Sequence, residues 1–247
     1  MSHELPFRIA LAALLGLVAA GGNVLGGYFV VRGEWPRKYL HYFLALGAGY
    51  MLSVAFVEVI PESVRLAGED ALLFVLIGYF LIHLFEHTIA PHFHFGEETH
   101  TEEMHEHHAR RTILLGMTIH TFFDGVAIAA GFLISTYLGV LIFLAVFLHK
   151  LPEGFTIATD VLASGQGKSN AVRAAGLLGA ATLAGVLLTS QLQAQLKYAL
   201  PLSGGVTVYV AATDLLPEVN REPNWRTALL VFVGVASLLI LRLLFHI

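Results

Sequence analysis

The chain has 247 residues, of which 56% are apolar and 13% are charged. Soluble domains carry about 25% charged residues, so this composition predicts a protein that lies within a lipid bilayer. Cysteine is absent, which excludes disulfides, thiolate metal sites and cysteine nucleophiles. The net charge of −4 gives no reason to expect nucleic acid as a partner. The 13 histidines stand out, and any metal would be held by nitrogen and oxygen.

Apolar runs of roughly 20 residues, the length that crosses a bilayer core, are separated by charges and turn residues. Eight such runs predict an all-α integral membrane protein, with spans at about 6–31, 39–64, 70–90, 112–134, 138–161, 171–193, 199–218 and 226–246. The first run is too long for the apolar part of a signal peptide, so it is interpreted as a retained span. Residues 1–247 are predicted to form a single transmembrane domain, in which residues 91–111 are the one longer polar loop.

The distribution of lysine and arginine predicts the orientation, because these residues accumulate in short cytoplasmic loops. Nine of the 14 basic residues fall after spans one, three, five and seven. Those loops are therefore predicted to be cytoplasmic, with both termini outside. The plasma membrane, or the inner membrane of a bacterial cell, is the expected location.

Spans four and five each contain a histidine that is followed four residues later by a carboxylate and then by glycine. The pairs are His120 with Asp124 and His149 with Glu153. Residues i and i+4 share a helix face, so each span presents one imidazole and one carboxylate near mid-membrane. Ionisable groups at that depth mark a pathway or a site by default.

Two imidazoles and two carboxylates suit a divalent ion such as zinc, iron(II), manganese or cadmium. Segments that run in opposite directions and meet at the midplane form the substrate site of many transporters. Gly125 and Gly154 are expected to let the two helices approach closely. For either motif alone, the alternative is a hydrogen-bonded packing residue, and for Lys150 it is a salt bridge to Glu153 or another acid.

The motifs HTFFDG in span four and HKLPEG in span five resemble the paired signatures of the ZIP (Zrt/Irt-like) family of metal transporters. The eight spans, the histidine-rich loop and the span-seven segment VYVAATDLLPE extend the resemblance. It implies three, two and three helices, with the outer triplets related by inverted symmetry. It also implies uptake of a divalent metal, zinc first, with no prosthetic group. Alternating access is the expected mechanism, and a slow channel is the open alternative. The implied metal ligands are His120, Asp124, His149 and Glu153.

Some members of this family hold a second metal through an amide after the first motif histidine and through acids after the second and in span six. Here Thr121 and Lys150 occupy the first two positions, and span six contains no acid or histidine. The sequence therefore predicts a single-metal site in which the ammonium of Lys150 replaces the second ion.

An acid-x-x-Pro-Glu pattern occurs in both span two and span seven. The first copy gives Glu58 and Glu62, which we expect to gather cations at the entrance, and the second gives Asp214 and Glu218 near the exit. Asp160, on a similar face to the span-five carboxylate, is a further exit candidate. The alternative is that an acid and a proline merely end each helix.

Histidines interleaved with glutamates fill the loop between spans three and four, namely His92, His94, His100, His105, His107 and His108. Such a tract is compositionally a weak metal binder. A receiving station for metal, a sensor of metal load and a solvated linker are all open.

Two other function classes fit parts of the pattern. A membrane-embedded metalloenzyme acting on lipid is one, because His105-Glu106-His107-His108 faintly resembles the histidine boxes of lipid desaturases. A metal exporter is the other, but it predicts six spans and a soluble metal-binding domain. The glycine-rich spans permit either internal packing or contacts in a homodimer.

Overall fold

The computed structural model describes residues 4–33, 37–89, 107–221 and 224–244, and this part of the chain is helical without strands. Its α-helices are α1 (Glu4–Arg32), α2 (Arg37–Val54), α3 (Ile60–Ala67), α4 (Asp70–Leu84), α5 (His107–Ile134), α6 (Thr136–Ala163), α7 (Lys168–Gln191), α8 (Leu196–Tyr209), α9 (Leu216–Arg221) and α10 (Trp225–Leu244). A 3₁₀ turn, Gln193–Gln195, precedes α8. Three π-helical segments occur at Ala55–Val59, Phe85–Ile89 and Val210–Leu215.

These helices form eight segments that are long and apolar enough to cross a membrane, so the predicted all-α membrane fold is confirmed. Spans one, four, five, six and eight are α1, α5, α6, α7 and α10. Span two runs from α2 through α3, span three is α4 with its π-helical end, and span seven runs from α8 through α9.

Helix α5 begins before the predicted fourth span. Residues 91–106 of the predicted loop lie outside the described residues, but residues 107–111 already form the first turns of α5. The polar loop predicted through Arg111 is therefore too long at its end. Charges suggested a loop here, whereas alanine and arginine are good helix formers that extend the helix beyond the apolar run.

Prolines account for two of the π-helical segments. Pro61 and Pro217 cannot donate a hydrogen bond to the carbonyl four residues earlier. In both spans the helix widens into π turns just before the proline and then continues, to Ala67 in span two and to Arg221 in span seven. The acid-and-proline patterns therefore do not end these helices, and π-helical turns are frequent at functional sites.

The motif glycines bring each motif helix against an outer span. A Cβ at Gly154 would collide with the backbone of Asn23 in span one, and a Cβ at Gly125 would collide with the carbonyl of Thr182 in span six. The expectation that these glycines join spans four and five to each other is wrong. Each glycine instead joins its own helix, backbone to backbone, to a different neighbour.

The most extensive helix contacts join span one to span five, four to six, two to eight, one to six, and three to seven. If span one is exchanged with span six, span two with seven, three with eight and four with five, the same five contacts are obtained. An inverted repeat produces contacts of this kind. The arrangement of three, two and three helices stays a prediction.

Candidate metal centre

A buried cluster of three potential ligands lies where spans four and five meet. The ligand atoms of His120, Asp124 and His149 all lie within 4.8 Å of one another. Nε2 of each histidine is 3.2 Å from the same carboxylate oxygen, Oδ2 of Asp124. The two imidazole rings are nearly parallel, with centroids 5.7 Å apart. The two motif helices therefore direct both imidazoles toward one carboxylate.

The backbone fixes which nitrogen of His149 faces the cluster. Nδ1 lies 3.1 Å from the carbonyl oxygen of Ala145, which can only accept, so Nδ1 donates there, and Nε2 faces Oδ2 of Asp124 at 3.2 Å. Nε2 of His120 is also buried and makes no hydrogen bond with the described residues. Because both nitrogens face a carboxylate that is itself an acceptor, a cation bound among them would stabilise the arrangement.

Lys150 joins the two motif carboxylates inside the protein. Its Nζ lies 2.6 Å from Oδ2 of Asp124 and 2.6 Å from Oε2 of Glu153, and all three side chains are buried. Glu153 is thus connected to the three-residue cluster through the ammonium rather than directly. Its other oxygen, Oε1, is buried without a hydrogen-bond partner in the described part of the chain. The salt bridge considered as the alternative for Lys150 is present, and it also crosses the helix interface.

An acid of span seven lies near the cluster, and an acid of span three lies near that residue. Asp214, in the π-helical segment of span seven, is buried and within electrostatic range of both His120 and Glu86. Oε2 of Glu86 accepts a hydrogen bond of 2.7 Å from the hydroxyl of Tyr209. Glu86 was not among the predicted site residues, although an ionisable residue at membrane depth is itself a signal for one.

The predicted entrance acids are paired with arginines. Oε1 of Glu58 lies 3.2 Å from Nε of Arg242 and 3.5 Å from the hydroxyl of Tyr137. Glu62 accepts two hydrogen bonds from Arg65, of 2.8 Å and 2.6 Å. These contacts reduce the negative charge that either acid presents to a cation.

The two remaining exit candidates lie outside the three-residue cluster. Glu218 lies 3.3 Å from Nη1 of Arg221 and 3.8 Å from Nε2 of His41. Asp160 is half-buried, seven residues beyond Glu153 in span five. The structure therefore brings Asp214 toward the cluster but does not bring these two acids to it.

Span one contributes a buried polar residue that the motifs did not indicate. Asn23 is fully buried, and neither its side-chain oxygen nor its nitrogen has a hydrogen-bond partner among the described residues. Its backbone packs against Gly154, the neighbour of Glu153, and Gly22 packs against Cβ of Lys150. The signal that could have identified Asn23 is an amide side chain within a long apolar run.

The histidine-rich loop lies largely outside the described residues. His92, His94, His100 and His105 are not described, and for His107 and His108 only the helical backbone of α5 is described. The metal contacts predicted for this loop stay a prediction.

Comparison with known proteins matches residues 97–242 to the family described as ZIP zinc transporters. The zinc transporter ZIP13 homolog of Drosophila melanogaster is 32% identical over 144 residues, which cover 54% of this chain and 41% of that protein. An uncharacterized protein of Methanocaldococcus jannaschii is 26% identical over 238 residues, covering 95% of this chain and 96% of that protein. Zinc transporter ZIP9-B of Xenopus laevis is 23% identical over 259 residues, covering 84% of each chain. The chain thus spans less than half of the Drosophila relative and nearly all of the Methanocaldococcus one.

Proposed function

The chain belongs to the ZIP zinc transporter family, and on that premise we propose that it carries divalent transition-metal ions across the plasma membrane into the cytoplasm. The observation that carries this proposal is the buried group of His120, Asp124 and His149 within a bundle of eight apolar spans. Ionisable groups at this depth are costly and are retained for a pathway or a site. Relatives named as zinc transporters support transport rather than catalysis.

Zinc is the proposed principal cargo, since it is bound tetrahedrally by imidazole and carboxylate ligands. His120, Asp124 and His149 would supply three ligands and Glu153 the fourth, once its oxygen is released from Lys150. Iron(II), manganese and cadmium accept the same ligand types. The metal is the transported substrate and not a resident cofactor.

Lys150 supports a site for a single metal ion. A charge of +1 and a charge of +2 separated by 4 Å repel by about 8 kcal/mol at an effective dielectric constant of ~20. A second metal that lies within about 4 Å of the buried ammonium would experience this repulsion. The purified protein should therefore bind one transition-metal ion per chain in this cavity, and two would contradict the proposal.

The proposed route begins at Glu58 and Glu62, passes the central cluster, and leaves along Asp214, Asp160 and Glu218. The electrostatic proximity of Asp214 to His120 supports the inner part of this route. The arginine contacts of Glu58 and Glu62 mean that these acids would attract a cation only in competition with a neighbouring guanidinium. Six histidines, His92, His94, His100, His105, His107 and His108, would receive or sense metal at the inner end.

The proposed topology has both termini outside and a single transmembrane domain of residues 1–247, in a 3+2+3 arrangement. At one end of the bundle, Arg8 donates to the carbonyl of Ile134 at 2.9 Å, and Glu58 contacts both Tyr137 and Arg242. These contacts bring together the start of spans one and five and the end of spans two, four and eight. Eight spans of alternating direction require this grouping.

Metal uptake into liposomes that contain only this protein tests the function. Replacing both His120 and Glu153 with alanine should abolish zinc flux, because two of the four proposed ligands are lost. Ser190→Ala is the matched control, since the Ser190 hydroxyl is buried and, within the described residues, bonds the carbonyl of Val186 in its own helix. It should transport normally.

Three results would contradict the proposal. Flux retained by the folded double variant would exclude the assigned site. Modification of lipid without metal flux would favour the metalloenzyme, and flux in the export direction alone would favour the exporter. Competition among zinc, iron(II), manganese and cadmium in the same assay identifies the preferred cargo.

A further inference from the structure

Asn23 and Lys150 lie at the same level of the interface between spans one and five. A Cβ placed on Gly22 would lie 3.2 Å from Cβ of Lys150, and a Cβ on Gly154 would collide with the backbone of Asn23. No bulky side chain separates the two backbones at this level. The Cβ of Lys150 therefore lies directly beside Gly22, the residue that precedes Asn23.

Three buried polar atoms at this level have no hydrogen-bond partner in the described part of the chain. They are Oδ1 and Nδ2 of Asn23 and Oε1 of Glu153. A buried amide or carboxylate oxygen without a partner is unfavourable, and native proteins pair such groups in at least one functional state. An amide oxygen is an acceptor for an ammonium, and an amide nitrogen is a donor for a carboxylate.

The position of Lys150 conflicts with metal binding. Its ammonium contacts the same oxygen of Asp124 toward which both imidazoles are directed. A divalent ion that binds this oxygen together with the imidazoles would repel the ammonium at close range. We expect the lysine then to move to another acceptor within the interior, because its side chain is fully buried.

We propose that Asn23 is a positioning residue that receives the Lys150 ammonium when a metal ion binds Asp124. The inference rests on the proposed function. In the metal-free carrier Lys150 neutralises part of the charge on Asp124 and Glu153. When the metal binds, the ammonium moves to Oδ1 of Asn23, and Nδ2 donates to the unpaired oxygen of Glu153. Metal binding is thus an exchange of one cation for another, and no buried carboxylate is left without a positive partner.

A double-mutant cycle on metal affinity tests this exchange in the full-length purified protein. Asn23→Leu keeps the branched arrangement of heavy atoms but removes the amide, so zinc affinity should fall about tenfold, the loss expected for a hydrogen bond to a charged group. In a Lys150→Met background no ammonium needs a receiver, so the same substitution should change affinity less than about twofold. Asn23→Asp offers the ammonium a stronger acceptor, so affinity should rise in the Lys150 background. Ser190→Ala, a buried hydroxyl in the same bundle, should change neither.

Equal losses from Asn23→Leu in both backgrounds would overturn the proposal, because Asn23 would then contact the metal or serve only packing. No loss in the Lys150 background would also overturn it. Asn23→Asp provides the same comparison if the leucine variant does not fold. Zinc binding or flux that survives His120→Ala would contradict the metal site itself, and this result is distinguishable from a failed cycle at Asn23.

Discussion

Lys150 contacts Asp124 across the interface of spans five and four at 2.6 Å, closer than either imidazole, each of which lies 3.2 Å from the same oxygen. The ammonium is therefore the nearest cation to the atom on which the predicted ligands converge. In the proposed metal site, a bound ion would compete with a cation that is covalently part of the chain. Its affinity would then depend on this ammonium as well as on the ligands.

Asp124→Asn should reduce zinc binding more than any other single change at the centre. The substitution retains the shape of the side chain but removes the charge from the oxygen that both imidazoles and Lys150 approach. Changes in residues that only orient ligands cost 10–100-fold in affinity, so a direct ligand should cost about 100-fold or more. Asp70→Asn, at an exposed position in the first turn of α4, is the control. Titration with a competing chelator measures both, and an unchanged affinity for Asp124→Asn would exclude this residue as a ligand.

Lys150→Met should lower the thermal stability of the metal-free protein. Removing one partner of a buried ion pair leaves an uncompensated charge and costs about 3–5 kcal/mol. Zinc should restore more stability to this variant than to the wild type, because the metal replaces the missing charge. Thermal unfolding in detergent with and without zinc measures the effect. Lys168→Met, at the exposed start of α7, should behave as wild type, and an equal response of both variants would contradict the prediction.

Gly154→Ala should destabilise the contact between spans one and five. The added methyl group would overlap the backbone of Asn23, so the helices must separate. A lower melting temperature and a lower yield of folded protein are expected, with zinc flux reduced as well. Gly176→Ala is the control, because nothing lies within 4 Å of its added Cβ. Equal stability of the two variants would show that the close approach is not required.

We expect zinc uptake to weaken as the outside pH is lowered from about 7.5 to about 5.5, because more protons then compete with the metal for its ligands. Only the neutral imidazole coordinates a metal, so protons compete with the ion for His120 and His149. Initial rates at several zinc concentrations distinguish a loss of affinity from a loss of maximal rate. A rate that is independent of pH over this range would exclude imidazole ligands at the rate-determining site.

Deleting residues 97–106 should change the rate or regulation of uptake but not the choice of ion. The deletion removes the glutamate-rich tract with His100 and His105 and leaves the whole of α5 in place. Selectivity is proposed to arise at the central cluster, which the deletion does not touch. Competition uptake with zinc, iron(II) and manganese measures it. A changed order of preference would show that the loop helps to select the cargo.

Local helix geometry allowed much of this fold to be predicted. Apolar runs of sufficient length indicated eight spans, and the spacing of four residues indicated that His120 and Asp124 meet. Both inferences depend on features of a single helix, namely its length and the positions of its side chains. The same spacing did not predict the surroundings of Glu153, which pairs with Lys150 on the same helix rather than joining the ligand cluster.

Contacts between different helices could not be predicted from the spacing of residues in the sequence. Lys150 was expected to contact an acid, but its contact with Asp124 depends on how span five is rotated against span four. The rule that proline interrupts a helix indicated an irregularity near Pro61 and Pro217 but not its form. The helix widens into π turns there and then continues. Asn23 lies far from every motif in the sequence and reaches the centre only through the packing of span one.

The glycine contacts bring four pairs of spans into direct backbone contact. Backbones touch directly between spans one and five at Gly154, between four and six at Gly125, between two and eight at Gly49, and between three and seven at Gly78. Sliding within any of these pairs would drive one backbone into another. Span two meets span five differently, since a Cβ at Gly47 would lie 3.5 Å from Cβ and 3.7 Å from the carbonyl carbon of Leu148, which is ordinary van der Waals contact. At these positions the surface between spans two and five is less tightly packed than the four glycine contacts, and we expect the proposed transport to expose the centre to one side and then the other along it.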